Sequence, residues 1–267
     1  MLPTILKAIG AYKFYEKWLE EGVRAGEMPE HVGIILDGNR RWAFAKYGDT
    51  LNGHMYGAKA AENFLEWCLD LDIRTVTLYV FSTENFVRPK DEIAAILRII
   101  EDETRKLITD PRIHDHRVHV KAIGRLELLP QSLRTVLEEV EKTTADYDQH
   151  YMNIAIAYGG RAEIVDAAKR IINEVQNGTL DAHSVDEDVF MKYLYTSYLP
   201  NPYPELIIRT SGEERLSGFL TWQAAYSELV FVPTNWPDFD RSTLEAAIIE
   251  YRRRERRFGG LVAQTGS

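Results

Sequence analysis

Four polar segments of the sequence contain the side-chain types that bind phosphate groups and divalent cations. Each follows a short apolar run; they are DGNRR at 37–41, STEN at 82–85, GGR at 159–161 and RTSGEERLS at 209–217. Guanidinium groups and backbone amides bind polyphosphates, and a carboxylate can hold Mg²⁺ against them. The residue types alone therefore predict a magnesium-assisted enzyme that acts on a phosphate or a diphosphate.

The common signatures of other enzyme classes are absent from the sequence. It contains no G-x-x-x-x-G-K-[ST], no G-x-G-x-x-G, no H-E-x-x-H and no G-x-S-x-G. The formal net charge of −9 argues against general nucleic-acid binding and requires local arginine clusters for any anionic ligand. Cys68 is the only cysteine, which excludes an intrachain disulfide, and its apolar helical surroundings predict a buried, inert thiol.

Strands and helices alternate along the chain, and the polar segments lie where strands end. The predicted strands cover 32–36, 75–81, 117–123, 152–158, 206–208 and 229–232. The predicted helices cover 53–72, 91–108, 130–147, 162–175, 185–198 and 242–258. This alternation predicts a single α/β domain, with a parallel sheet, helices on both faces and the polar loops at one edge of the sheet.

The ends of the chain differ from this central domain. Apolar residues at helical spacing predict an amphipathic helix within 1–28, docked either on its own domain or on a membrane surface or a partner. A catalytic domain over 29–260 and a tail over 261–267 complete the predicted organisation. Because the sequence has no membrane span and no signal peptide, we expect a cytoplasmic protein, with peripheral contact at the inner face of the membrane as an option.

Seven segments resemble the cis-prenyltransferases, the undecaprenyl diphosphate synthase family, and occur in the family's order. They are HVGIILDGNRRWA, GHMYGAKA, TLYVFSTENFVRP, NIAIAYGGRAEI, IIRTSGEERLSGFLTWQAAYSELVF, WPDF and RRRERRFGG. The resemblance implies a six-stranded, mainly parallel sheet with surrounding helices, in a homodimer. It also implies Mg²⁺-dependent condensation of isopentenyl diphosphate onto a C15 or C20 allylic diphosphate primer. Each step would form a cis double bond, and the product would be a long polycis-prenyl diphosphate, a lipid-carrier precursor.

The resemblance assigns the first polar segment to the primer and the metal. Asp37 is implied to hold Mg²⁺ against the substrate diphosphates. The residues implied to bind the allylic diphosphate are Gly38, Asn39, Arg40, Arg41 and His54. Trp42 belongs to the same motif, and two interpretations stay open: it packs either on the prenyl chain or on the core. Arg40, in place of the common bacterial glycine, is the variant of archaeal and eukaryotic relatives.

The second polar segment resembles a substrate-binding loop of the family. Its residues are Ser82, Thr83, Glu84, Asn85, Phe86 and Arg88. Asn85 corresponds to the catalytic residue usually assigned as proton acceptor. Because a neutral amide is not a base near pH 7, we expect Asn85 to orient the isopentenyl substrate while a diphosphate oxygen or Ser82 takes the proton.

The last polar segment and two later positions complete the implied site. The residues that match the isopentenyl diphosphate site are Arg209, Arg215, Leu216 and Ser217. The two arginines could instead form surface ion pairs with neighbouring glutamates. Glu228 resembles the carboxylate that completes the metal site from a neighbouring subunit, and 256–260 resembles a tail that reaches toward a substrate site.

Three substitutions within the motifs leave alternatives open. Thr50 falls where many bacterial members have a basic residue, Phe86 where many have tryptophan, and Gly218 where asparagine or aspartate is usual. An enzyme with the same chemistry but a short product or an unusual acceptor is therefore one alternative. A non-catalytic partner subunit is another, although Asp37 and the arginine loop argue against it. The candidates for a prenyl tunnel are Phe64, Leu65, Ile93, Ile96, Leu97, Ile100 and Leu137.

Overall fold

The computed structural model describes residues 19, 22–23, 26–48, 50 and 52–254 of the 267-residue chain. Of the predicted N-terminal helix it describes Leu19, Gly22 and Val23, which are helical, and Leu19 and Val23 are buried. The rest of that helix before residue 26, the end of the last predicted helix beyond residue 254, and the tail lie outside the described residues.

One sheet of six parallel strands forms the centre of the molecule. The strands are β1 (His31–Ile35), β2 (Thr75–Ser82), β3 (Val118–Ile123), β4 (His150–Tyr158), β5 (Leu206–Arg209) and β6 (Glu228–Phe231). They lie in the order β3-β4-β2-β1-β5-β6, and every neighbouring pair is parallel. The predicted α/β fold with a six-stranded sheet is confirmed.

Eight α-helices connect and cover the strands in the described part of the chain. They are α1 (Asn39–Tyr47), α2 (Gly53–Asp70), α3 (Lys90–Leu107), α4 (Pro111–Asp115), α5 (Gln131–Thr143), α6 (Gly160–Gln176), α7 (Glu187–Met191) and α8 (Arg241–Arg253). A 3₁₀ turn at Thr83–Val87 follows β2. None of these helices has the length and apolarity needed to cross a membrane.

Successive strand residues belong to two different apolar cores, one on each face of the sheet. Ile34 and Ile208 pack in the larger core, while their neighbours Ile35 and Ile207 pack in the smaller one. This alternation follows from the two-residue period of a strand. The strands read as continuous apolar runs because helices or loops cover both faces.

The predicted helix over 185–198 is wrong beyond its first turns. The structure has a helix only at Glu187–Met191, followed by turns. The backbone N–H of Tyr195 donates to the Glu163 carboxylate at 2.7 Å. That amide is therefore not available for an intrahelical bond, and Glu163, buried on α6, stabilises a turn there instead.

Candidate active site

The carboxyl ends of four strands open onto one pocket, which we call the central pocket. Asp37 follows β1, Ser82 ends β2, Gly159 follows β4 and Arg209 ends β5. The site residues predicted from sequence that line it are Asp37, Asn39, His54, Ser82, Thr83, Glu84, Asn85, Arg88, Arg209 and Ser217. The expectation that the polar loops gather at one edge of the sheet is therefore confirmed.

A second cavity, the arginine pocket, opens beside the first along α1. Its lining includes Asp37, Gly38, Asn39, Arg40, Arg41, His54 and Arg88, with Phe44 and Thr50. Three arginines, Arg40, Arg41 and Arg88, line this cavity. Such a lining suits a polyanion, because forked guanidiniums and backbone amides bind phosphate oxygens with good geometry.

A third cavity, the apolar channel, runs between α2 and α3 over one face of the sheet. Its walls include Ala58, Ala61, Leu65, Leu78, Val80, Ile96, Ile100, Met152 and Ile154. Ion pairs lie at its far end, among them Lys106 to Glu62 at 3.1 Å and Arg112 to Glu66 at 3.3 Å. From His54 to Leu69 the channel follows α2 for about 22 Å, at ~1.5 Å per residue.

The three cavities meet at the same three residues. Leu36, Asn39 and His54 line the central pocket, the arginine pocket and the apolar channel. A ligand with an anionic head and a long apolar tail could therefore place its head among the arginines and its tail along α2. Of the tunnel candidates, Leu65, Ile96 and Ile100 line the channel. Phe64, Leu97 and Leu137 are instead buried core residues, and Ile93 packs on that core.

The carboxylate of Asp37 is held by its neighbours in an ionised state. Its Oδ1 accepts the Gly38 N–H at 2.7 Å, and its Oδ2 accepts Arg209 Nη2 at 2.8 Å. Burial alone would raise the pKa of Asp37, but the hydrogen bond and charge of Arg209, with Gly38 and Arg41, hold that pKa below its ordinary value. Since 30 % of the side chain is exposed, this anion is also open to a ligand.

The turn after Asp37 requires glycine. Gly38 has φ 101° and ψ 0°. A Cβ at this position would lie 2.4 Å from Oδ1 and 3.0 Å from Cα of Asn235. Thr210 fixes the same turn, because its hydroxyl accepts the Asp37 N–H at 2.9 Å and donates to the Asp37 carbonyl at 2.6 Å.

Arg209 is almost completely buried and lies at the floor of the central pocket. Its side chain is 6 % exposed. Besides Asp37, its guanidinium donates to the Ser217 hydroxyl at 2.7 Å and to the backbone carbonyl of Arg215. Its Nε has no hydrogen-bond partner. These bonds hold the loop after β5 closed around Arg209.

Buried polar atoms without partners concentrate in this site. In the described part of the chain six buried side-chain atoms lack a hydrogen bond, and three of them are Asn39 Oδ1, His54 Nε2 and Arg209 Nε. An unsatisfied buried polar atom costs free energy, so such groups in a folded protein call for a partner. Their position around the shared cavity walls indicates a polar ligand.

His54 is neutral at pH 7 in this arrangement. Burial is the largest cause that lowers its pKa, followed by the charge of Arg88, while Glu92 partly opposes them, and the pKa is about 4. An anion bound beside it would favour the charged form. A polyphosphate bound in the arginine pocket would therefore raise the pKa of His54.

The loop after β2 is braced by its own hydrogen bonds. The Asn85 side-chain oxygen accepts the Ser82 N–H at 2.9 Å, and the Ser82 hydroxyl accepts the Asn85 N–H. The carbonyl of the Asn85 amide is thus committed to the turn, and its NH₂ group is the part that can donate to a ligand.

Five residues predicted for the site line none of the three cavities. Trp42 is buried and packs against Tyr47 and Tyr56 at centroid distances of 5.8 and 4.8 Å. This geometry agrees with the core interpretation of Trp42. Phe86 packs edge-on against Phe81, and Leu216 packs on the smaller core.

Arg215 and Glu228 complete this group. Arg215 is 62 % exposed and pairs with Glu213, as the ion-pair alternative supposed. Glu228 pairs with Leu206, and Leu206 with Val32, so Glu228 lies at the amino end of its strand. Glu228 is thus level with Val32, and Asp37 comes five residues after Val32. Within one chain the two carboxylates therefore lie about 16 Å apart along the strand direction. A role for Glu228 beside Asp37 would therefore need a second copy of the chain.

Sequence reasoning did not select two residues that organise the site. Thr210 was noted only as part of its loop, although its hydroxyl fixes the backbone of Asp37. Glu92 on α3 lies 3.3–3.9 Å from side-chain nitrogen atoms of Arg88, Arg40 and His54. The only sequence signal for it is the i, i+4 spacing from Arg88, which is common on any helix.

No group of three or more His, Cys, Asp or Glu side chains that could hold a metal occurs among the residues the structure describes. Asp37 is the carboxylate that the central and arginine pockets share.

Comparison with known proteins gives consistent results. Residues 35–259 match the sequence model of the family described as "Putative undecaprenyl diphosphate synthase". Two archaeal proteins are named tritrans,polycis-undecaprenyl-diphosphate synthase (geranylgeranyl-diphosphate specific). That of Methanopyrus kandleri is 50% identical over 93% of this chain and 91% of its own length. That of Pyrococcus abyssi is 48% identical over 93% of this chain and 94% of its own.

A solved structure is similar over most of both chains. It is lavandulyl diphosphate synthase from Lavandula x intermedia in complex with dimethylallyl diphosphate, with a TM-score of 0.82 and 34% sequence identity. The match covers 87% of this chain and 98% of that one. Motifs, fold and relatives agree, and the chain belongs to the undecaprenyl diphosphate synthase family of cis-prenyltransferases.

Proposed function

We propose that the chain condenses isopentenyl diphosphate, with Mg²⁺, onto a C20 allylic diphosphate and repeats the step to give a long polycis-prenyl diphosphate. The observation that carries this proposal is the meeting of the cationic pockets with the apolar channel at Leu36, Asn39 and His54. The curated relatives' names specify geranylgeranyl diphosphate, which favours C20 over C15.

The primer diphosphate is proposed to bind in the arginine pocket. Arg40, Arg41 and Arg88 would bind its oxygens, and the amides at the start of α1 would add their dipoles. His54 Nε2 and Asn39 Oδ1 would find partners in the diphosphate and its bound water. The prenyl tail would then follow α2 down the apolar channel.

Isopentenyl diphosphate is proposed to bind in the central pocket, on the side of Arg209 and Ser217. Arg209 lines that pocket, and its buried Nε has no hydrogen-bond partner. Arg215 lines no cavity, so it would have to leave Glu213 to reach a diphosphate. The Asn85 NH₂ group and the Ser82 side chain would orient the isopentenyl group.

A magnesium ion fits Asp37. Mg²⁺ retains several waters and is commonly held by one or two carboxylates together with substrate phosphates. The ionised, partly exposed carboxylate between the two pockets provides that single protein ligand. The ion would supply a Lewis acid for the departing diphosphate. Glu228 would join it only from a second copy of the chain, so a shared metal site requires the homodimer.

The residues of the site account for the steps of the condensation. The bond between primer carbon and diphosphate breaks, and the arginines stabilise the charge that grows on the leaving group. A bond forms to isopentenyl carbon, and the new chain then loses a proton. We assign the proton to a diphosphate oxygen, because the Asn85 carbonyl is bonded to Ser82 N–H and a neutral amide is a weak base.

The structure of lavandulyl diphosphate synthase favours one second candidate, a cis-prenyltransferase with a short product or another acceptor. The channel favours a C20 primer over a C5 primer, because it continues about 22 Å beyond the pockets, a length that suits about four prenyl units. We also propose that the protein contacts a membrane surface when it releases its apolar product.

A primer panel tests the proposal. Purified protein is incubated with labelled isopentenyl diphosphate, Mg²⁺ and primers of C5, C10, C15 or C20. We expect the highest kcat/KM with C20 and products many units longer. Single-step products from the C5 primer alone would support the second candidate, and no product with any primer would refute both.

A further inference from the structure

Glu92 is the point where two of the three arginines of the arginine pocket, Arg40 and Arg88, and the neutral imidazole of His54 converge. One oxygen, Oε1, lies 3.3 Å from Arg88 Nη1, 3.5 Å from Arg40 Nε and 3.9 Å from His54 Nε2. The Glu92 side chain is 14 % exposed, whereas the neighbouring acid Asp91 is exposed and has no such contacts. Glu92 itself lines none of the three cavities.

The three partners belong to different parts of the chain. Arg40 lies on α1, His54 on α2 and Arg88 after the 3₁₀ turn, while Glu92 is in the first turn of α3. The guanidinium groups of Arg40 and Arg88 repel one another unless a counter-charge lies between them. The Glu92 carboxylate, which is mostly buried and lies within 3.9 Å of all three side chains, supplies that counter-charge to the two arginines from behind the pocket wall.

We propose that Glu92 is a positioning residue for the primer diphosphate, holding Arg40, His54 and Arg88 in the arrangement that receives it. It does not touch the substrate; it acts through the three side chains that do. Because α3 also forms a wall of the apolar channel through Ile96 and Ile100, the same contact ties the diphosphate pocket to that wall. The proposal rests on the proposed function and specifies how its primer site is assembled.

The alternative is that Glu92 acts only as an anion that competes with the substrate. The Arg88–Glu92 pair alone would be an ordinary i, i+4 ion pair worth little. The two roles predict opposite results when the carboxylate is removed. A competing anion would leave the primer bound more tightly, while loss of a positioning group would leave it bound more weakly.

The test compares Glu92→Ala, Glu92→Gln and the matched control Asp91→Asn. We expect Glu92→Ala to raise KM for the C20 primer at least tenfold and Glu92→Gln, which keeps an oxygen acceptor, about threefold. KM for isopentenyl diphosphate should stay within twofold in both. Asp91→Asn removes a charge from the same helix turn and should change neither KM. Calorimetry with the unreactive geranylgeranyl S-thiolodiphosphate should show the same order of affinities without turnover.

The proposal is overturned if Glu92→Ala leaves the primer KM within twofold of wild type or lowers it, or if both substrate KM values rise together. If Glu92→Ala does not melt cooperatively, the test uses Glu92→Gln instead. The proposal is then overturned if the primer KM of Glu92→Gln stays within twofold of wild type. If wild-type protein elongates no primer, the proposed function fails; if it elongates and the selective change in KM is missing, only the role of Glu92 fails.

Discussion

Blocking the apolar channel halfway should change which primers the enzyme accepts. Ala61 lies on the channel wall, seven residues after His54 on α2, which places it about 10 Å along the channel. A prenyl unit has four main-chain bonds of roughly 1.5 Å and advances about 5 Å. Ala61→Trp should therefore leave space for about two units, whereas the native channel has space for about four.

The expected loss follows from the apolar surface that can no longer be buried. Each carbon kept out of the channel forfeits about 0.8 kcal/mol, so two five-carbon units forfeit up to ~8 kcal/mol, an upper bound because the bound chain also loses conformational freedom. Even a third of this free energy corresponds to a binding constant about 100-fold weaker. We expect kcat/KM for the C20 primer to fall at least 100-fold, with the C10 primer retained and short products formed.

The assay is initial-rate kinetics with C10 and C20 primers, followed by chromatography of the products. Met55→Trp is the matched control, because Met55 is on the same helix, 62 % exposed, and outside the three cavities. Melting temperatures show whether either variant is damaged. If Ala61→Trp elongates the C20 primer to native length with kcat/KM within threefold of wild type, the channel does not hold the prenyl chain.

Three further predictions concern catalysis and stability. Asp37→Asn should lower kcat about 1000-fold while the protein still melts cooperatively, and retained turnover would remove Asp37 from the metal role. Gly38→Ala should lower the free energy of unfolding by about 3 kcal/mol and Tm by roughly 10 °C, because Gly38 has a φ of 101° and a Cβ there would clash with Asn235. The control is Gly178→Ala, whose Cβ would meet no atom within 4 Å and which should lower the free energy of unfolding by about 1 kcal/mol. Equal losses in the two variants would refute the clash. Burial holds the pKa of His31 at about 3, below its ordinary 6.5, so the unfolded chain takes the proton first and stability falls as pH drops from 6.5 toward 3. Between pH 7 and pH 5 His31 should contribute about 2 kcal/mol to the loss of unfolding free energy, so His31→Gln should reduce the loss measured by urea unfolding by about that amount; an equal loss in wild type and variant would contradict this.

The parallel sheet and the edge at which its polar loops gather could be predicted from local pattern alone, whereas the order of the strands was not predicted. Apolar runs such as 152–158, separated by helical patterns, predicted the parallel sheet, and parallel strands bring their polar ends to one edge. Asp37 and Arg209 are 172 positions apart in sequence, yet both follow or end such runs, so their meeting at 2.8 Å is a consequence of the fold class.

Features that depend on tertiary contacts could not be predicted from the sequence. The helix expected over 185–198 ends early because Glu163, on another helix, takes the Tyr195 amide. Ile96 and Leu97 are adjacent apolar residues of α3, but only Ile96 lines the channel. Glu92 has an ordinary spacing from Arg88, and its contacts with Arg40 and His54 exist only when three elements pack together.

The stereochemistry of the product tests the central claim most directly. Wild-type protein is given the C20 primer, Mg²⁺ and isopentenyl diphosphate labelled with ¹³C at its methyl-bearing carbon, and the product is examined by NMR and mass spectrometry. The account predicts a product with many added units in which every new double bond is cis and those of the primer are unchanged. New trans double bonds, or recovery of the C20 primer without elongation, would contradict it.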